Sequence, residues 1–89
     1  MKIGRKRVEK MVHRLKTLQP FYDEVKNRNK NFEIRSNDRD FKVGDTVVLS
    51  EWNNVNNNYT GPSLTRKIKY VLKDCPEYGL VKGYCIFGW

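Results

Sequence analysis

Soft metal ligands are scarce in this chain: of 89 residues, 2 are cysteine and 1 is histidine. Cys75 and Cys85 have no second pair beside them, and His13 lies far from both. A structural zinc site needs about four closely spaced ligands, so no metal is expected, and no cofactor either. Long apolar runs are missing too, since nothing approaches the roughly 18 consecutive residues of a membrane span. The first residues, Met-Lys-Ile-Gly-Arg-Lys-Arg, are charged and lack the apolar stretch of an export signal. We therefore expect an intracellular, cytoplasmic chain whose two thiols stay reduced. The length excludes two lobes with a cleft between them, a Rossmann unit with a substrate domain, or a barrel of eight βα units. It leaves room for one domain with a thin core.

Acidic residues are also few. Ten Asp and Glu face 18 Lys and Arg, for a net charge of +8. Such a balance favours an anionic partner, and nucleic acid is the commonest. The charge is uneven. Within residues 1–10, Lys2, Arg5, Lys6, Arg7 and Lys10 stand against Glu9, so this arm holds half of the net charge. A basic arm of this kind neutralises phosphates without regard to sequence. Residues 11–89 are read as a single domain.

Patterning predicts one helix among about five strands. Met11 to Thr17 reads as a short strand, with Val12 and Leu15 inward and Arg14 and Lys16 outward. Thr17 offers a capping oxygen and Pro20 suits an early helical position. Asp23 and Glu24 near the start, and Lys26 and Arg28 near the end, complement the dipole of a helix over about 19–28. Phe21 and Val25, four residues apart, are expected to share one face of it. Asn31–Ser36 alternates with period two, predicting Phe32 and Ile34 in the core with Glu33 and Arg35 on the polar face. Thr46–Trp52 reads as a strand after a Gly-Asp turn. The asparagine-rich 53–58 reads as a hairpin connection, Leu64–Leu72 as one long half-buried strand, and Tyr84–Trp89 as the last. These elements argue for an α+β domain built on a small curled sheet or barrel.

Read in order, several motifs carry a resemblance: His13-x-Leu15-Lys16-Thr17, then Lys30-x-Phe32-Glu33-x-Arg35-x-Asn37-Asp38-Arg39-x-Phe41-x-Val43-Gly44-Asp45. Leu49-x-Glu51, Tyr59-Thr60-Gly61 and Gly79-Leu80-x-x-Gly83-Tyr84 follow. The run resembles a small family of bacterial and phage proteins of unknown function in the ASCH/PUA-like group, over about residues 11–87. The resemblance implies a PUA-like β-pseudobarrel with its helix beside a cleft. This chain departs from the pattern at Leu18-Gln19-Pro20, where the family has Trp-Pro. It also departs at Arg28, where a glycine is common near the helix end, and at Pro62, where an arginine follows the Tyr-Thr-Gly.

Two functions of different class follow from the resemblance. In the first, the domain binds RNA or another nucleic acid in a basic cleft. Lys16, Lys30, Arg35, Arg39 and Arg66 would meet phosphates. Tyr22, Tyr59 or Trp52 would stack on an unpaired base, and Asn37 and Glu33 would meet base edges. His13 joins this set as a polar residue of the first motif. In the second, the domain is a small hydrolase of N-acylated nucleosides. Some relatives resemble an amidohydrolase with a Lys-Thr-x-Thr-x-Arg run, and here Lys30 and Arg35 match it. Glu33 occupies the nucleophile position, leaving Lys30 and Glu33 as the candidate acid–base pair. A third reading is a phage-encoded module that contacts a host protein. Each candidate also has a structural reading: Glu33 and Arg35 as a cross-strand pair, Asn37, Asp38 and Arg39 as turn chemistry, His13 as a satisfied core histidine, and Asp45 as a turn residue.

Overall fold

The computed structural model describes residues 9–89. Most of the basic arm expected at 1–10 thus lies outside the described residues. Of its last members, Lys10 donates to the Val43 carbonyl at 3.4 Å. Six strands and one helix follow in the order β1 (Val12–Thr17), α1 (Phe21–Lys26), β2 (Phe32–Ser36), β3 (Thr46–Asn53), β4 (Asn58–Lys67), β5 (Tyr70–Lys73) and β6 (Tyr84–Gly88), with a 3₁₀ turn at Pro76–Tyr78. The domain is α+β and mostly strand. No helix among the described residues is long and apolar enough to cross a membrane.

The strands form two three-stranded sheets, ordered β1-β3-β4 and β2-β6-β5. β1 runs parallel to β3, and every other pairing is antiparallel. The expected single long strand over Leu64–Leu72 is two strands, because the chain changes sheet at Ile68. There the Ile68 amide donates to the Asp45 carbonyl on one side, and the Lys69 amide donates to Gly88 on the other, both at 2.8 Å. Switching sheets mid-strand is how corners are made in folded-over β structures.

Among the described residues no backbone ladder joins β1 to β2, so the sheets do not close into a barrel. Two guanidinium groups span that gap instead. Arg35 Nη2 donates to the Lys16 carbonyl at 2.9 Å, and Arg39 Nη1 to the Arg14 carbonyl at 2.7 Å. Both satisfy acceptors on the edge of β1 that β3 does not reach, as exposed strand edges require.

One core serves both sheets: Leu15, Val25, Phe41, Val47, Leu49, Ile68, Cys85 and Phe87. Phe41 comes from the β2–β3 connection and packs its ring 4.8 Å from His13 and 4.7 Å from Phe87. In β1 the inward positions are His13, Leu15 and Thr17, so Val12, expected inside, is exposed.

The alternation in β2 holds but its phase is opposite to expectation. Phe32 and Ile34 are 44% and 55% exposed, while Glu33 is 5% exposed. The ladder with β6 sets this phase. Glu33 faces Phe87 and Arg35 faces Cys85, and directly paired residues share a face. Since Phe87 and Cys85 are fully buried, their partners are drawn inward with them.

The helix is shorter than 19–28 and its capping differs. Thr17 ends β1, and the Gln19 side chain takes the capping role. Its Oε1 accepts from the Asp23 amide at 3.1 Å, and its Nε2 donates to Asp23 Oδ1 at 2.9 Å. Tyr22 and Val25 are the buried pair, and Phe21 is 49% exposed. At the other end the Asn29 amide reaches Glu24 O and the Arg28 amide reaches Val25 O, with Arg28 at φ 63. That is the Schellman stop, with arginine where glycine is preferred.

Candidate ligand-binding cleft

A cleft of about 310 Å³ opens where β1 runs into the helix and β2 passes beside it. Lys16, Thr17 and Leu18 line it from the end of β1, and Phe21 from the first helical turn. Lys30, Glu33, Ile34 and Arg35 line it from β2 and its approach. The volume is at the small end of ligand sites, about 300–1,000 Å³.

Glu33 is its pivot. A buried carboxylate must be paired and hydrogen-bonded, and this one is paired twice. Oε1 accepts from Arg35 Nε at 2.9 Å and Nη2 at 2.8 Å, and Oε2 accepts from Lys30 Nζ. Lys30 Nζ donates further to the Phe32 carbonyl at 2.6 Å and lies 5.7 Å and 5.0 Å from the Phe21 and Phe32 ring centres. The side chains of Lys30 and Arg35 remain 16% and 25% exposed. Local sequence explains the convergence: Glu33 and Arg35 are two apart on one strand, and Lys30 reaches Glu33 across the entry to it. One buried anion thus fixes two cations, and Lys16 leaves the lining net positive. Removing one partner of such a buried pair costs about 3–5 kcal/mol.

Of the residues singled out from the sequence, the cleft gathers Lys16, Lys30, Glu33 and Arg35. The others lie elsewhere. Arg66 lines a separate hollow with Arg28, Lys30, Asn31, Val25 and Trp89. Tyr59 sits on the outer face of the first sheet, its ring 4.3 Å from the Arg14 guanidinium and 4.9 Å from Trp52. Trp52 in turn lies 4.0 Å from Lys16 Nζ. Tyr22 is 4% exposed, which leaves no face open to a base. Arg39 braces β1. Asn37 is turn chemistry, its Oδ1 accepting from the Phe41 amide at 3.1 Å.

His13 is in the core, where Nε2 donates to Asp45 Oδ2 at 2.9 Å. Asp45 also accepts from the Met11 and Lys42 amides, each at 3.1 Å, so it ties β1 to the turn before β3. Gly44 makes that turn at φ +94, with the Lys10 side chain lying where a Cβ would point. Burial pushes the Asp45 carboxyl up, but His13 and the two amides outweigh it and hold it below the usual range. Burial pushes the Cys85 thiol up, which keeps it protonated. Cys75 is buried as well, and both cysteines are free.

Sequence reasoning missed Thr17, Leu18, Phe21 and Ile34 as lining residues. For Phe21 a signal existed, because an aromatic pair beginning a short amphipathic helix must leave one ring outside. Among the described residues no three His, Cys, Asp or Glu side chains converge as metal ligands would.

Comparison with known families places the chain. It belongs to the family described as Domain of unknown function (DUF3850), which matches residues 12–89. No curated protein matches it.

Proposed function

We propose that this DUF3850 domain binds nucleic acid, RNA first, by taking one unpaired nucleotide into the cleft. The observation that carries this reading is the Lys30–Glu33–Arg35 triad. It holds two cations in fixed positions on the wall of a cavity of about 310 Å³, with Lys30 Nζ 5.7 Å from the centre of the half-exposed Phe21 ring. A planar base suits the phenyl face, and a phosphate suits Arg35 and Lys16. Net charge of +8 adds long-range attraction for a polyanion. The resemblance to ASCH/PUA-like pseudobarrels supports the same function, and the sheet change at Ile68 is the kind of corner such a barrel uses. A cytoplasmic setting fits free, buried thiols.

The cleft is built less well for hydrolysis. Both oxygens of Glu33 are occupied, so neither faces a substrate as a general base would. Thr17 is the one hydroxyl among the lining residues, and it donates back to the Leu15 carbonyl at 3.4 Å. Nothing pairs it with a base.

Fluorescence anisotropy with a short single-stranded RNA tests the proposal. Binding is expected, weakening steeply with salt. Arg35→Gln should weaken it by about tenfold or more, the effect of losing a charge-assisted hydrogen bond. Lys16→Ala, on an exposed side chain, should weaken it without altering the fold. Binding that ignores both changes, or steady turnover of N-acylated cytidines, overturns the proposal.

A further inference from the structure

Lys30 lines two hollows. Beside the cleft, at the helix end, lies a cavity of about 400 Å³ bounded by Val25, Arg28, Lys30, Asn31, Arg66 and Trp89. Among the described residues its lining contains three cations and an indole, and no acidic side chain. Trp89 is held on its wall by the backbone, since its amide donates to the Asn31 carbonyl at 3.1 Å and its ring packs 6.3 Å from Phe87. Arg28 reaches the hollow from a left-handed backbone position, φ 63, that disfavours any residue with a side chain. A third cavity adjoins the cleft at Leu18, but it is lined by Glu51, with Trp52 and Thr60 beside it. That carboxylate repels phosphate. A smaller hollow of about 170 Å³ shares Arg35 with the cleft, but Asp38 lines it too. Among the described residues the hollow at Lys30 alone adjoins the cleft with cations and without a carboxylate, so a polyanion leaving the cleft is drawn past Lys30 toward Arg28 and Arg66.

We infer that the hollow beneath Trp89 is a second subsite, and that the ligand is a single strand whose adjacent nucleotide occupies it. The inference rests on the nucleic-acid reading of the cleft and extends it from one nucleotide to two or more. In this arrangement the phosphate between the two nucleotides meets Lys30, whose ammonium is already fixed by Glu33. Trp89 offers an aromatic surface to the second base, as Phe21 does to the first, and Arg28 and Arg66 meet the next phosphate. A duplex does not fit, because both bases must be free to leave their stack.

The test compares uridine monophosphate, diuridylate, hexauridylate and a duplex RNA of equal length, measured by calorimetry and anisotropy. The proteins are the parent and the Arg28→Gly/Arg66→Gln double variant. Neither change threatens the fold. Glycine suits the backbone at residue 28, and among the described residues the Arg66 guanidinium bonds only the exposed Thr65 carbonyl. The expected result is that hexauridylate binds the parent at least tenfold more tightly than the monophosphate, and the duplex binds worst. In the double variant the hexamer should fall to near monophosphate affinity. Its log–log salt slope should shrink by about 0.7, the value for the one phosphate of a single strand that Arg28 and Arg66 share. Monophosphate affinity should stay within about twofold, because the lost charges lie outside the cleft and are screened by salt. Equal binding of monophosphate and hexamer overturns the second subsite and leaves the cleft reading intact. So does hexamer affinity that survives the double variant, or a duplex that binds as well as the single strand. Absence of binding by every probe overturns both.

Discussion

Asp45 is 1% exposed and charged, and three donors make that tolerable: His13 Nε2 and the amides of Met11 and Lys42. Its carboxyl is held below the usual range in the folded state, against the upward push of burial. The sign of the pH effect follows. A depressed folded value contributes stability that is present above the unfolded value, about 3.9, and is lost as pH falls through the folded one. Replacing the carboxylate with Asp45→Asn should lower stability at pH 7 by about 1.5–3 kcal/mol, the range for hydrogen bonds to a charged group. Urea denaturation checks both points. The gap between parent and variant should be full at pH 7 and shrink steadily as pH drops below 4. A gap that stays constant across that range would mean Asp45 acts by shape alone.

At the scale of an element, the stop of α1 makes the sharpest statement. Both Schellman bonds are present, and the residue they fold around is Arg28 at φ 63. Arg28→Gly should raise stability by about 1 kcal/mol by relieving the left-handed position. Thermal unfolding measures this directly. Paired with the expected loss of oligonucleotide affinity, the two effects have opposite sign, which a purely structural arginine would not give. The same element marks where sequence reading succeeds and where it stops. A helix with acids first and cations last was legible from charge order alone. The asparagine-rich hairpin was legible too, because Asn53 Oδ1 accepts from the Val55 and Asn56 amides. So was the proximity of Lys30, Glu33 and Arg35, which their spacing dictates. The phase of β2 was not legible. It depends on pairing with β6, about fifty residues away in the chain, and period two looks the same from either face. Which ring of the Phe21–Tyr22 pair is buried, here Tyr22, is likewise a tertiary choice. The break at Ile68 needs the Asp45 carbonyl and Gly88 to be seen, and local pattern holds neither.

Across the whole molecule, the question is whether two sheets without a joining ladder behave as one unit. They share a single hydrophobic cluster, with Leu15, Val47 and Leu49 from one sheet and Cys85 and Phe87 from the other around Phe41 and Ile68. Phe41 is the link, since its ring touches His13 of β1 and Phe87 of β6. A chain of this length has a total stability of roughly 4–13 kcal/mol. Truncating a buried phenylalanine costs about 3–5 kcal/mol. Phe41→Ala should therefore remove a large share of the stability and destabilise both sheets together. The two tryptophans give each sheet its own reporter, because Trp52 is in β3 and Trp89 follows β6. In the Trp89→Phe variant fluorescence follows the first sheet, and in Trp52→Phe it follows the second. Within each variant, the fluorescence and far-ultraviolet dichroism midpoints in urea should coincide, the mark of one cooperative transition. Adding Phe41→Ala should move both reporters down by the same free energy. If one reporter shifts and the other stays, the arginine braces from Arg35 and Arg39 to β1, not the core, are what join the sheets, and the cleft between them would then open independently of global unfolding.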